Sequence, residues 1–135
     1  MTTSPPAFVD TNILVRHLTG DPPDAAKRAT RFLAESETLL LLDLIVAEVA
    51  YVLGSYYRFP RRQVAMALQA VLAFPAVRVT DADLLHRAIE LFEVDRMGFA
   101  DGYLVASAER SGIAVIASFD RTLDRSGTVR RLEPA

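Results

Sequence analysis

Residues 7–15 read AFVDTNILV, an apolar run that is interrupted by one carboxylate and one amide and then continues. A solvent-facing turn would rarely separate two such apolar halves. The pattern predicts a short strand over residues 7–9 and a helix over residues 12–18, with Thr11 as the helix cap. Asp10 would therefore lie directly after a strand, where the helix begins.

The rest of the chain continues this alternation of strands and helices. Further short strands are predicted at residues 39–42, 77–79, 113–117 and 129–132, and helices at residues 23–34, 44–57, 60–73, 81–93 (capped by Thr80) and 101–111. This order is typical of a three-layer α/β fold with a central parallel β-sheet and helices on both faces. With no linker-like segment in 135 residues, we expect residues 1–135 to form a single domain.

Composition excludes several classes of protein and site. A net charge of −2 and a pI of about 5.6 do not suit binding of nucleic acid by bulk attraction, so any such recognition must be local or metal-assisted. The absence of cysteine excludes disulfides and thiolate metal sites. With only His17 and His86 available, a zinc site is poorly supported.

Nothing in the sequence suggests a membrane or secreted protein. The longest apolar stretches are interrupted by Asp43 and Glu48, so none is long enough for a membrane span. The segment from Met1 to Pro6 lacks the basic and apolar regions of a signal peptide. A cytoplasmic protein without membrane association is the default expectation.

Single acids recur where strands end or helices begin. Asp120 follows the fourth predicted strand, and Asp101 opens a helix that should start at the same edge of the sheet as Asp10. In open parallel sheets, ligands bind beyond the carboxyl ends of the strands. The alternative for each aspartate is an ordinary helix cap or turn residue.

Glu48 lies in LIVAEVAYVL, a predicted helix that is apolar on nearly every face. Such a helix is expected to be buried, and a buried carboxylate is costly unless it is paired or binds a metal. No arginine is near in sequence, although a core ion pair remains the alternative. We therefore expect Glu48 to have a functional role.

Together, Asp10, Glu48, Asp101 and Asp120 could meet at one crevice. Their mutual repulsion would need a cation, and oxygen-only ligands favour Mg²⁺ or Mn²⁺. An acidic site of this kind on an open α/β sheet suits metal-assisted hydrolysis of phosphodiester bonds.

Four segments carry a resemblance to a known family: VDTN at residues 9–12, VAEV at 46–49, FADGYLVA at 99–106 and SFDR at 118–121. Together they resemble a PIN domain, in particular the ribonuclease toxins of VapBC toxin–antitoxin modules. The resemblance covers essentially the whole chain. It implies a Mg²⁺-dependent endoribonuclease, usually a homodimer, that a small antitoxin holds inactive. It assigns the acidic roles to Asp10, Glu48, Asp101 and Asp120, and supporting roles to Asn12 and Ser118.

The chain departs from the family pattern in two places. Many members have a second acid two residues after the last aspartate, where this chain has Thr122, with Asp124 close by. Gly102 stands where a better helix former is common, and we expect it to let substrate approach the backbone.

A basic and aromatic cluster, YYRFPRR at residues 56–62, has two interpretations. Arginine beside aromatic rings suits contact with an RNA backbone and stacking on its bases. The alternative is a solvated connection between helices with partly buried rings.

Three alternatives to a nuclease fit the sequence less well. A PIN-like scaffold that only binds RNA or a partner would have no reason to hold four repelling acids. A phosphatase of the haloacid dehalogenase type would need an aspartate where Asn12 stands. A receiver domain would need a lysine after a late strand, and Lys27, the single lysine, is in the wrong place.

Overall fold

A computed structural model describes residues 4–135 of the chain, so the prediction about Met1 to Pro6 lies partly outside the described residues. The chain divides into two compact units, one up to Thr80 and one from Asp81 onward. The α/β class predicted from the sequence is confirmed, and every strand pairing among residues 4–135 is parallel. No helix in this part of the chain is both long and apolar enough to cross a bilayer.

The first unit contains a three-stranded parallel sheet in the order β1-β2-β3. Its elements are β1 (Ala7–Phe8), α1 (Thr11–Thr19), α2 (Pro23–Glu35), β2 (Leu39–Leu40), α3 (Asp43–Tyr51), a π-helical turn (Val52–Tyr56), α4 (Arg61–Leu72) and β3 (Val77–Arg78). Helices connect each strand to the next, as parallel pairing requires. Its core is aliphatic and includes Leu14, Leu33, Leu39, Leu53, Val64 and Leu68.

The second unit packs two helices and a small parallel sheet. Its elements are α5 (Ala82–Glu93), α6 (Phe99–Ser111), β4 (Val115–Ala117), a 3₁₀ helix (Arg121–Ser126) and β5 (Arg130–Leu132), with β4 paired to β5. Arg87 on α5 donates from Nε and Nη2 to the two carboxylate oxygens of Glu109 on α6, at 2.8 and 2.9 Å. Leu85, Ile89, Val105 and Leu123 are fully buried here.

Gly102 lies at the contact between α5 and α6. A Cβ atom at this position would lie 2.9 Å from the backbone oxygen of Ala88 and 3.3 Å from Cβ of Leu91. Because real Cβ atoms are not found so close to backbone, only glycine allows the two helices to approach this far. Gly102 is buried, so the expected role in letting substrate approach the backbone is wrong.

Two helix caps lie one residue away from the positions predicted from the sequence. Asp10 is the N-cap of α1 and Asp81 the N-cap of α5, where Thr11 and Thr80 were expected. Each aspartate accepts a backbone N–H bond from the first turn of its helix, and carboxylates cap at least as well as threonine hydroxyls. The hydroxyl of Thr11 consequently makes a different hydrogen bond.

The predicted helix over residues 44–57 is shorter than expected. Its α-helical part ends at Tyr51, and a π-helical turn follows in which the N–H of Tyr57 donates to the carbonyl of Val52 at 3.2 Å. Gly54 and Ser55 are both weak helix formers, which favours a departure from α-helical geometry at this point. π-turns of this kind occur frequently at functional sites.

Candidate active site

Asp10 lies where the chain passes from β1 into α1. Its Oδ1 accepts the backbone N–H of Thr11 at 2.8 Å, which fixes the carboxylate at the helix N-terminus. The side chain is exposed, and its other oxygen has no hydrogen bond within the described residues. The capping alternative is therefore confirmed for Asp10, yet the same carboxylate keeps an oxygen that can bind a ligand.

Thr11 connects Asp10 to Glu48. Thr11 is buried, at 8% exposure, and its hydroxyl donates to Oε2 of Glu48 at 2.8 Å. This bond joins the start of α1 to the middle of α3, so the two carboxylates lie on either side of one threonine. No local pattern predicts this link, because the two residues that form it are 37 positions apart.

The prediction that Glu48 is buried is wrong. Helix α3 buries Val46 and Val49 but leaves Leu44 and Tyr51 exposed, at 75% and 71%, and Glu48 is exposed with them. Apolar composition alone overstated the burial, because the helix keeps one open face despite its apolar side chains. The cost of burying a charge therefore gives no argument for a metal at Glu48. The hydrogen bond between Glu48 and Thr11 is the structural observation that links Glu48 to the candidate site.

Asp10 and Glu48 line one cleft of about 430 Å³ in the first unit. Asn12, one of the predicted supporting residues, lines the same cleft. The wall also includes Tyr57, from the basic and aromatic cluster, and two charged residues that sequence reasoning missed, Arg16 and Asp21. The spacing of Asn12 and Arg16 was an available signal, since residues four apart lie on one face of a helix.

Asp101 and Asp120 form the acidic pair of the second unit. Burial, and after it the negative charge of Asp120, raises the pKa of the Asp101 carboxyl above its ordinary value. Asp101 is half-buried in the first turn of α6, whereas Asp120 is exposed. The two carboxylates are close enough to repel each other, which is a condition that a bound cation relieves.

Asp120 is held in its charged form by its own loop. Its Oδ1 accepts the backbone N–H of Thr122 at 2.9 Å, and this bond, the Thr122 hydroxyl and the positive charges of Arg125 and Arg131 lower the pKa of the Asp120 carboxyl. Asp120 therefore loses its proton at a lower pH than Asp101. The hydroxyl of Ser118 accepts the N–H of Asp120 at 2.9 Å, which helps to fix the loop that carries Asp120.

Asp124, the acid near the missing family position, lies in an ion pair. Its side chain is paired with Arg131, whose Nε lies 3.2 Å from Oδ1 of Asp124. Arg131 also donates to the carbonyl of Ser118 at 3.1 Å. Asp124 thus helps Arg131 to hold the Ser118–Asp120 loop.

The chemistry of these oxygen ligands suits a hard cation, although no preformed metal-binding group of side chains is found within residues 4–135. In this part of the chain, no group of three or more His, Asp or Glu side chains is arranged to hold a metal ion. The structure brings the predicted carboxylates together as two pairs, Asp10 with Glu48 and Asp101 with Asp120. All four offer only oxygen ligands, as Mg²⁺ and Mn²⁺ prefer. The four-carboxylate site stays a prediction.

Comparisons with known proteins give the family. One solved structure that matches the chain is VapC20 from Mycobacterium tuberculosis, described as a toxin that cleaves the sarcin–ricin loop; the two are 25% identical, with a TM-score of 0.44, and the match covers 91% of this chain and 96% of that one. No curated protein matches the sequence significantly. The PIN domain family profile matches residues 7–128. The chain therefore belongs to the PIN domain family.

Proposed function

We propose that the chain is a metal-dependent endoribonuclease, the toxin component of a type II toxin–antitoxin system. The observation that carries this proposal is the pair of carboxylates, Asp10 and Glu48, that the buried Thr11 holds in one cleft. In the second unit, burial and then the charge of Asp120 raise the pKa of the Asp101 carboxyl, and a bound cation would relieve this repulsion. The family and the four motif segments support the same function.

The proposed catalytic residues are Asp10, Glu48, Asp101 and Asp120, and these would hold Mg²⁺ or Mn²⁺. When bound, such an ion neutralises charge on the phosphodiester and activates water for attack on phosphorus. Within the chain, Thr11 orients Glu48 by its hydroxyl bond, and Ser118 orients the loop that carries Asp120. Asn12 offers an amide to substrate in the cleft of the first unit.

Partners and location follow from the family resemblance alone. The proposed substrate is RNA, the proposed inhibitor is a small cognate antitoxin, and the proposed assembly is a cytoplasmic homodimer. An antitoxin would block an acidic site most simply by placing an arginine or lysine on the carboxylates. Co-expression with an adjacent small reading frame should then give a tight complex with depressed nuclease activity; a complex that cleaves RNA as fast as the free protein would contradict this mechanism.

A scaffold that binds RNA or a partner without cleaving it is the second candidate. The capping bonds of Asp10 and Asp120 favour it, because they give both carboxylates a structural reason to be present. A Mg²⁺-dependent phosphatase is a weaker alternative, since Asn12 replaces the acid that its general acid–base step would need.

One experiment separates these candidates. Purified protein is incubated with structured RNA in Mg²⁺, Mn²⁺ or EDTA, and its melting temperature is measured under the same conditions. A nuclease should cleave RNA only with metal, and metal should raise the melting temperature by ligand linkage. Asp101→Asn should remove cleavage and weaken the thermal shift, whereas Asp24→Asn, at an exposed aspartate on α2, should change neither. RNA binding without cleavage in any metal would favour the scaffold.

A further inference from the structure

Arg16 is a cation in an otherwise acidic cleft. It lies half-buried on α1 and lines the same cleft as Asp10, Glu48 and Asp21. None of the ion pairs found among residues 4–135 includes Arg16. A guanidinium that is partly shielded from water and lies beside carboxylates without pairing to them is available for an anionic ligand.

Tyr57 forms another part of the wall, and its position is fixed by several contacts. Its hydroxyl donates to Oδ2 of Asp21 at 3.1 Å, and its ring packs edge-on against Tyr56 and Phe59, with centroids 4.9 and 6.2 Å apart. The π-helical turn precedes it, and Arg58 follows it with a positive φ of 56°. Two unusual backbone features therefore flank this one ring, as is common at binding sites.

These groups match the parts of a nucleotide. An arginine fork suits the non-bridging oxygens of a phosphate, and an aromatic ring suits the face of a base. A local contact of this kind is needed here, because a protein of net charge −2 cannot hold RNA by bulk attraction. The carboxylates of the cleft would otherwise repel the phosphate backbone.

We propose that Arg16 and Tyr57 form a nucleotide subsite, in which Arg16 binds a phosphate that flanks the scissile one and Tyr57 packs against the attached base. This inference rests on the proposed ribonuclease function and deepens it, because it assigns substrate contacts to residues outside the acidic motifs. Asp21 is then a positioning residue, which holds the Tyr57 hydroxyl and leaves the ring to face the RNA.

The test of Arg16 measures RNA binding separately from cleavage. Full-length protein carrying Asp101→Asn is titrated into a fluorescently labelled single-stranded RNA, which leaves every residue of the cleft unchanged. Adding Arg16→Gln should weaken binding by about tenfold, as expected for a lost charge-assisted hydrogen bond. It should also reduce the slope of log K against log salt by about 0.7, the value for one phosphate contact on a single strand.

Arg31→Gln is the matched control, because Arg31 is exposed on α2 and does not line the cleft, and its substitution removes the same charge. It should leave affinity within about twofold, in the range of an unimportant surface substitution. Equal losses from Arg16→Gln and Arg31→Gln would show a general charge effect and overturn the subsite.

The stacking role of Tyr57 is tested by two substitutions that both remove the hydroxyl, one of which keeps the aromatic ring and one of which does not. Tyr57→Phe keeps the ring and should bind RNA within about threefold of the parent, whereas Tyr57→Leu should bind at least about fivefold more weakly, as expected when a base loses an aromatic platform. Circular dichroism and melting temperature confirm that each variant is folded. Equal affinities of the folded Phe and Leu variants would remove Tyr57 from the subsite.

Steady-state kinetics in the otherwise wild-type chain separate the two proposals. A substrate contact at Arg16 should raise KM by about tenfold in Arg16→Gln and leave kcat nearly unchanged. If the wild type cleaves RNA but Arg16→Gln binds it as tightly as Arg31→Gln, the subsite is wrong and the nuclease proposal stands. If the wild type does not cleave, the nuclease proposal fails, and the binding titration alone still decides the subsite.

Discussion

Thr11 is the residue through which two of the proposed catalytic carboxylates are organised. It is the only buried polar or charged side chain among residues 4–135. Its backbone N–H binds Asp10 and its hydroxyl binds Glu48, so a single residue restrains both acids. Burial makes the hydroxyl bond hard to replace with water, which keeps Glu48 in one orientation before any ligand arrives.

Glu48→Gln separates a catalytic role from a structural one. The amide keeps the size of the side chain and an oxygen that can accept the Thr11 hydroxyl, but it removes the charge. Because Glu48 is exposed, the free energy of unfolding should change by less than about 1 kcal/mol. RNA cleavage should fall by at least about 100-fold if this charge serves a metal that supplies several kcal/mol.

The control for this variant is Glu35→Gln, which removes an exposed charge at the end of α2. It should leave both the rate of cleavage and the melting temperature unchanged within error. A Glu48→Gln protein that loses stability but keeps its specific activity would contradict the catalytic assignment.

The raised pKa of Asp101 predicts a stability that depends on pH in the absence of metal. A carboxyl with a raised folded-state pKa stabilises the fold while it is protonated, and this contribution is lost as pH rises through the folded-state pKa. At pH 7, Asp101→Asn should therefore melt about 1–3 °C above the wild type in EDTA. The difference should vanish below the ordinary value of 3.8, where both proteins are neutral at this position.

Thermal unfolding in EDTA from pH 3 to pH 8 measures this effect, with Asp24→Asn as the control for loss of an exposed charge. A difference in melting temperature that is the same at every pH would show that the asparagine side chain changes packing and that repulsion is not the cause. With saturating Mg²⁺ the order should reverse, because only the wild type gains the full linkage to metal.

The sequence predicted the positions of some site residues correctly, but not the exposure and hydrogen bonds of others. The ends of strands and the capping preference of aspartate are local signals, so the positions of Asp10 and Asp120 were predictable, including their alternative as caps. The exposure of Glu48 was not, because burial depends on which face of α3 finds a partner. The bond between Thr11 and Glu48 joins distant segments, and no local pattern encodes it.

At the scale of elements, the order of strands and helices was predicted correctly and their ends less well. Hydrophobic periodicity identifies an element, whereas its last turn depends on competing hydrogen bonds. Residues 52–56 show this most clearly, since they continue the apolar pattern of α3 but adopt a π-helical turn. That turn leads to Tyr57, which is the residue of the aromatic cluster that lines the cleft. Tyr57 and Phe59 are partly buried, as the alternative of a solvated connection with partly buried rings expected.

Gly102→Ala tests the close packing of α5 against α6. Alanine is the better helix former by about 1 kcal/mol, so propensity alone predicts a more stable protein. The new Cβ would meet the carbonyl oxygen of Ala88 at 2.9 Å, and backbone cannot move aside easily. The clash should dominate and lower the free energy of unfolding by about 1–3 kcal/mol.

Gly54→Ala is the matched change in open space, because a Cβ there would have no heavy atom within 4 Å. It should leave stability unchanged or raise it by up to about 1 kcal/mol. Chemical denaturation of both variants measures the contrast. Equal stabilisation by the two alanines would show that the helices can separate without cost.

At the scale of the whole molecule, the single-domain prediction concerns how the chain unfolds. The chain divides into two compact units, each with its own apolar core. A single domain loses both cores in one cooperative transition, whereas independent units melt separately. We expect one transition, with a calorimetric enthalpy equal to the van't Hoff enthalpy and close to about 0.7 kcal/mol per residue of the whole chain.

One truncation in each core makes this expectation specific. Leu53 lies in the first unit and Leu85 in the second, and both are 0% exposed. Either change to alanine should cost about 2–5 kcal/mol, and in a single domain both should move the same transition to lower temperature. The measurement is scanning calorimetry in EDTA, so that no metal couples the units. If Leu53→Ala moves one transition and Leu85→Ala moves another, the chain has two domains. The loss of RNA cleavage on heating would then follow the less stable of them, because the proposed carboxylates are divided between the two units.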